Sequence, residues 1–277
     1  MALSFESLFL IALAAGLVGA LTGMGGGVIL VPALTFLGID IKHAIAASMV
    51  SVIATSSGAA AAYVRDHITN LKVGMFLEMF TICGALAGAA ITLSSEQRLL
   101  QLVFGLVLLF SSATLFVQRF RGRHATTQDV LSRWLEFEGS YYDQAAQRTL
   151  AYKGTRAYLG GPLMFGAGLI AGLLGIGAGA LKVLVLDLVM GLPSKVSTTT
   201  SNLIIGVTAL AGASVYMAAG LVDPGQVAPI ILGVVAGAFL GTRLLVRLRN
   251  HTVRSLFTIV LFVLGVEMIV RTVLGGK

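Results

Sequence analysis

Two ionisable side chains stand inside long apolar runs, where a charge is costly and marks a functional position by default. Lys182 lies in 180–191, three residues past the glycine run Gly175-Ile176-Gly177-Ala178-Gly179. Its ammonium can pair with an anionic substrate or with Asp187, five residues on. The plainer alternative is that its stem reaches back to the interface from a short segment. Glu78 lies in 73–93. A carboxylate held away from water can exchange a proton during a transport cycle, whereas one near the interface simply reaches water. Glu267 and Arg271, four apart on the last apolar run, have the spacing of a structural ion pair.

Glycine runs surround these charges. Gly23-Met24-Gly25-Gly26-Gly27 and the near copy at 175–179 each sit within an apolar stretch. Glycine at this density permits left-handed backbone and costs helical stability. Within hydrocarbon, broken backbone survives only where protein or a polar cavity satisfies it. Helices starting at Val28 and Ala180 would aim their free N–H groups and positive dipole ends at one another. Open amides at Gly25, Gly26 and Gly27, and at Gly177 and Gly179, would complete an anion cradle. The competing reading is that the glycines only let helices pack closely. A dinucleotide G-x-G-x-x-G is a poor match, because Val28 and Ala180 occupy its last glycine and no strand precedes either run. Hydroxyls and an amide cluster after each short helix: Ser48, Ser51, Thr55, Ser56 and Ser57 in one half, Thr198, Thr199, Thr200, Ser201 and Asn202 in the other. Ser48, Ser201 and Asn202 suit either a substrate's oxygens or the packing of neighbouring helices; the others suit packing.

The elements that position these residues follow from composition. With 57% hydrophobic and 11% charged residues, and several apolar runs long enough to cross a bilayer, the chain reads as an all-α polytopic membrane protein. The formal charge of +7 lies mostly in loops beside the spans, which is the positive-inside bias rather than a nucleic-acid surface. The single cysteine, Cys83, excludes an internal disulfide, and four scattered histidines argue against a metal site. No convergent nucleophile, base or metal set is present, so no catalytic residues and no cofactor are expected, and a membrane-embedded enzyme is the weakest reading. The N-terminal run lacks a basic start and carries Glu6; it reads as a first membrane element rather than a signal peptide.

Apolar segments run at 4–22, 28–38, 44–64, 73–93 and 99–117, then after a polar stretch at 159–174, 180–191, 196–219, 227–246 and 253–274. Five, a break and five is the signature of duplication. An offset of 152 aligns Gly16, Gly23, Gly25, Gly27 and Val31 with Gly168, Gly175, Gly177, Gly179 and Val183. After a one-residue insertion, 153 aligns Gly38, Lys42, Ser48, Thr55, Tyr63, Gly84 and Gly88 with Gly191, Lys195, Ser201, Thr208, Tyr216, Gly237 and Gly241. Lys182 and Glu78 fall opposite Leu30 and Ile231, so neither charge is demanded by the repeat.

Basic residues then set orientation. Seven in 118–157 and the cluster Arg243, Arg247, Arg249 and Arg254 belong in the cytoplasm; the turn 220–226 has none and belongs outside. Segment 159–191 must therefore enter and leave on the same side. About 31 residues make roughly 46 Å of helix, too much for one crossing of a ~30 Å core and too little for two, which suits a hairpin turning at the glycines. Placing the first half by the same logic puts fourteen basic residues inside and four outside, with Lys182 in the membrane. The expected architecture is two inverted-topology repeats, each a glycine-broken helix hairpin plus three transmembrane helices, at 1–117 and 158–277, joined by a cytoplasmic linker or small module at 118–157. Alternation around Leu135-Glu136-Phe137-Glu138-Gly139 hints at a small hairpin there, with a short amphipathic helix the alternative.

The run from Gly16 through Gly23-Met24-Gly25-Gly26-Gly27 to Pro32, with Ile45-Ala-Ala-Ser48, resembles the first repeat of the TauE/SafE sulfite exporter family. Gly168 through Gly179, with Gly191-Leu-Pro-Ser-Lys195 and Thr198-Thr-Thr-Ser-Asn202, resembles the second. The likeness spans nearly everything but 118–157. Departures are Leu184, where the second proline is expected, and the charge of Lys182. The resemblance implies a multi-pass inner-membrane transporter of small sulfur-containing anions, sulfite or sulfonates, without a cofactor. The alternative is a channel or carrier for another small anion or solute. Expected partners are a small inorganic or organic anion and the lipid bilayer; nucleic acid is not expected, and a homo-oligomer is left open.

Overall fold

A computed structural model of the chain describes residues 4–22, 26–65, 68–117, 128–143, 147–245 and 250–274. The first half forms α1 (Phe5–Thr22), α2 (Gly27–Phe36), α3 (Ile41–Arg65), α4 (Leu71–Ser94) and α5 (Gln97–Val117). Between the halves come a short helix α6 (Val130–Trp134) and the strands β1 (Glu138–Asp143) and β2 (Arg148–Lys153). The second half forms α7 (Ala157–Leu174), α8 (Gly179–Leu184), α9 (Ser194–Ala218), α10 (Pro224–Leu245) and α11 (Asn250–Leu274), with α8 running on into a π-helical turn, Val185–Val189.

Four helices among the described residues are long and apolar enough to cross a membrane: α4, α7, α9 and most of α10. The outer faces of these helices and of α5 and α11 are greasy. Met79, Phe110, Leu210, Leu232, Phe239 and Phe262 all stand exposed, which lipid favours and water would not. This is a helical membrane protein.

The packing repeats itself. Helix α1 lies along α10, and α4 along α7; α3 crosses α9, and α5 crosses α11. A methyl added at Gly16 would collide with the Val234 backbone, and one at Gly168 with the Thr81 backbone. Added at Gly237 it would meet the Leu13 carbonyl and the Leu17 nitrogen; at Gly84 it would meet the Phe165 carbonyl and the Leu169 nitrogen. These are the same contacts written in the two halves at the offsets of the sequence repeat. Small residues bring the paired backbones together where lipid supplies no hydrophobic drive.

Directions follow from the same contacts. Gly233 sits beside Phe9 and Leu13, and Gly237 beside Leu13 and Leu17, so α1 and α10 run parallel. By the matching pairs α4 and α7 are parallel too. The crossing pairs are antiparallel. Met49 faces Gly212 and Ser56 faces Gly206 between α3 and α9. Thr272 donates to Gln101, and Ser112 donates to the Thr258 carbonyl, between α11 and α5.

The expectation of a purely helical chain is corrected between the halves. Strands β1 and β2 pair antiparallel from Glu138–Lys153 to Asp143–Arg148, so the hinted hairpin and a short helix both exist there. The reason is local: alternation in 138–143 suits a strand, while Asp129 caps α6 by accepting from the Ser132 amide at 3.3 Å. Burial opposes the charge of Asp129, but hydrogen bonds from Ser132 and from the Arg156 amide outweigh it and hold the carboxyl below its ordinary range.

This small unit is seated on the helices. Phe137 is 1% exposed, with its ring 5.5 Å from that of Phe76 on α4. The Thr155 amide donates to the Met190 carbonyl at 2.9 Å, just past the π turn. Asn70, which caps α4, also donates through its side chain to the Tyr152 hydroxyl at 3.1 Å. Lys72 and Glu136 form an exposed ion pair that holds the Glu136 carboxyl below its usual range.

Candidate functional site

Helix α7 stops at Gly175, which takes φ +72°, and Gly177 and Ala178 follow at +66° and +48° before α8 begins at Gly179. Three left-handed residues in four reverse the chain, and only glycine adopts that backbone without a Cβ penalty. Their cost at Ala178 is carried by the packing around it; Ala178 is 4% exposed. In the first half, Gly26 precedes α2, which begins at Gly27. Gly25, one of the expected cradle residues, lies outside the described residues.

The two turns touch. A methyl on Gly27 would stand 2.7 Å from the Gly175 carbonyl oxygen and 3.0 Å from Val52. One on Gly177 would stand 3.4 Å from the same Val52 and 3.0 Å from Ile205. Ser48 on α3 reaches across halves and donates to the Gly175 carbonyl at 2.7 Å. Ser201 on α9 donates to the Gly179 carbonyl at 3.5 Å. Asn202 donates to the Thr198 carbonyl one turn back, at 3.2 Å. In this conformation the two serines and the asparagine therefore bond to backbone carbonyls, and the serines tie the turns to the crossing helices. Between the turns and helices α5 and α11 lies a cavity of about 10 Å³, bounded by Val28, Leu108, Ile176, Leu181 and Leu261. That is about one water molecule's room.

The polar centre lies beside the second turn. Lys182 is completely buried, and its Nζ donates to Thr208 Oγ1 at 2.8 Å. Full burial rules out the snorkelling alternative. Asp187, the other proposed partner, accepts instead from Ser194 at 3.0 Å in an exposed setting. Thr208 Oγ1 is 3.2 Å from Glu78 Oε1 and 2.5 Å from the Ile204 carbonyl. Thr81 Oγ1 is 3.3 Å from the same Glu78 oxygen. Both side chains bond to Thr208 Oγ1, so the fully buried ammonium and the half-buried carboxylate form a charge pair bridged by one hydroxyl. Three helices supply it: Glu78 from α4, Lys182 from α8 and Thr208 from α9.

Sequence reasoning singled out Lys182 and Glu78 separately and did not join them. It left Thr208 and Thr81 unassigned. The signal was present: two charges of opposite sign, each unmatched in the other repeat. Arg271 is held by the Thr35 carbonyl at 3.3 Å and lies 5.7 Å from the Phe36 ring centre, so the last helix is fastened to α2.

A protein-family description, Sulfite exporter TauE/SafE, matches residues 8–268. The chain is 26% identical over 276 residues to the probable membrane transporter protein YunE of Bacillus subtilis (strain 168), covering 96% of this chain and 98% of that one. It is 25% identical over 239 residues to the probable membrane transporter protein YdhB of the same organism, covering 85% and 86%. No solved structure matches it. With the family pattern spanning both glycine turns and every helix that carries the buried charges, the chain belongs to the TauE/SafE sulfite exporter family.

Proposed function

We propose that this membrane transporter moves a small sulfur-containing anion, sulfite or a sulfonate, across the inner membrane, and that the anion binds beside the glycine turns with Lys182 as its cationic partner. The observation that carries the reading is a fully buried lysine one turn past a helix break, in a chain built to sit in lipid. A charge buried there is too expensive to keep for packing alone, even with Glu78 beside it. The helix starts at Gly27 and Gly179 and the amides of Gly26 and Gly177 add donors, once Ser48, Ser201 and Asn202 exchange their carbonyl partners for substrate oxygens. Glu78 is the carboxylate available for proton exchange. A cavity of about 10 Å³ is far smaller than a sulfur oxyanion, so binding must accompany an opening of the turns.

The two halves are, on this proposal, inverted repeats. Equivalent helices α3 and α9 cross antiparallel, as do α5 and α11, which fits a two-fold axis in the membrane plane. The Arg- and Lys-rich connection between the halves then faces the cytoplasm.

Flux into proteoliposomes from a panel of sulfite, 4-toluenesulfonate, methanesulfonate and chloride, with and without a pH gradient, tests the proposal. Sulfur anions should move in preference to chloride, and Lys182→Met should abolish the movement. Transport of none of them, or undiminished transport by Lys182→Met, would end it.

A further inference from the structure

We infer that the anion takes the place of Glu78 beside Lys182 and Thr208 and that Glu78 accepts a proton as it is displaced, so that one proton crosses with each monovalent anion. The inference rests on the transport reading above and adds to it a partner swap and a stoichiometry.

The geometry is that of a single neutral unit. Lys182 has no exposure, and its ammonium has one carboxylate to balance it. Among the described residues Lys182 is the one charged group acting on Glu78; Lys42 of α3 donates instead to the Leu93 carbonyl at the far end of α4, at 2.8 Å. Helix α7 carries no acidic or basic side chain from Ala157 to Leu174. On the α8 segment the other ionisable residue is Asp187, which is turned to Ser194. On α9, Lys195 lies in the first turn, far along the helix from Thr208, and the Tyr216 hydroxyl donates to the Gly172 carbonyl at 2.6 Å. On α4 itself, Lys72 is spent on Glu136 at the exposed end.

Adding an anion to this unit would leave a net negative charge beside a fully buried ammonium, at a cost no local group offsets. Adding the anion together with a proton restores neutrality. Glu78 is the acceptor at hand, because its carboxylate is the anion's rival for the same donors. Before binding, the unit holds one ammonium and one carboxylate. After binding it holds the ammonium, the guest anion and a neutral carboxylic acid, the proton having come from the water on the side of entry.

Thr208 makes the exchange structurally easy. Its oxygen accepts from Lys182, while its one hydrogen has two acceptors within reach, Glu78 Oε1 and the Ile204 carbonyl. Rotation onto Ile204 releases the carboxylate without leaving the hydroxyl unpaired. Thr81, on the same helix as Glu78, keeps its own alternative in the Glu78 carbonyl at 3.0 Å.

Sulfonates suit the test because they stay monovalent and carry no proton of their own. In wild-type proteoliposomes, inward 4-toluenesulfonate flux should acidify a lumenal pH dye by one proton per anion, and a potassium–valinomycin potential should leave the flux unchanged. In detergent, wild-type affinity for 4-toluenesulfonate should weaken with rising pH, approaching about tenfold per pH unit for one linked proton. Glu78→Gln should bind the anion with no such slope. Sulfonate flux without acidification, flux that follows the potential, or an unchanged slope or absent binding in Glu78→Gln would overturn the swap. Should Glu78→Gln fail to fold, the wild-type ratio and its indifference to potential decide alone. Absence of any sulfonate or sulfite flux in the wild type would instead bring down the transport reading itself.

Discussion

Replacing Lys182 by methionine keeps the length and most of the volume of the side chain while removing its charge. Thr208 loses its 2.8 Å donor, and Glu78 loses the cation that offsets its burial. Removing one member of a buried charge pair costs about 3–5 kcal/mol, most of it the penalty of stranding the other. For a chain of this size that is a fall in melting temperature of roughly 10 °C. The partner change distinguishes this cause from simple misfit. Combining Lys182→Met with Glu78→Gln removes the stranded charge, so the double variant should recover to within about 1 kcal/mol of wild type. Thermal unfolding of all four proteins in one detergent closes the cycle. A Lys182→Met variant as stable as wild type, or a double variant no better than the single, would refute the buried pair.

Other expectations follow from the packing. Gly84→Ala and Gly237→Ala should each destabilise by about 1–3 kcal/mol, and by similar amounts, because each methyl meets the equivalent pair of backbone atoms; detergent melting of the two variants compares them. Phe137→Ala should cost about 3–5 kcal/mol in the docked unit between the halves and raise the rate of limited proteolysis within 128–157, since Phe137 is 1% exposed. Asp129 binds its proton less readily in the folded protein than in the unfolded chain, so its contribution is present above the ordinary carboxylate range and is lost as pH falls through its lowered folded value. Proteolytic protection of that unit should therefore drop on acidification, and Asp129→Asn should flatten the drop.

Helix positions were legible because glycine, proline and charge interrupt otherwise continuous apolar runs. The segments read at 28–38 and 73–93 became Gly27–Phe36 and Leu71–Ser94. The repeat was legible for the same reason that it packs: Gly16, Gly84, Gly168 and Gly237 must be small where backbones meet. The Lys182–Thr208–Glu78 unit was not legible, because its members lie on three helices of two halves and no spacing links them. Nor did the sequence reveal that Ser48 bonds to the opposite half's turn, a contact across 127 residues. The seat of Phe137 also escaped it. One aromatic among several in a polar stretch looks like a linker residue until the tertiary fold supplies Phe76 and Met190.

Binding of radiolabelled 4-toluenesulfonate to the purified double variant Lys182→Met/Glu78→Gln bears most directly on where the anion sits. This protein should keep the fold and the glycine turns while lacking the cation. Saturable binding in the wild type and none in the double variant is the predicted result; equal affinity in both would contradict an anion site at Lys182.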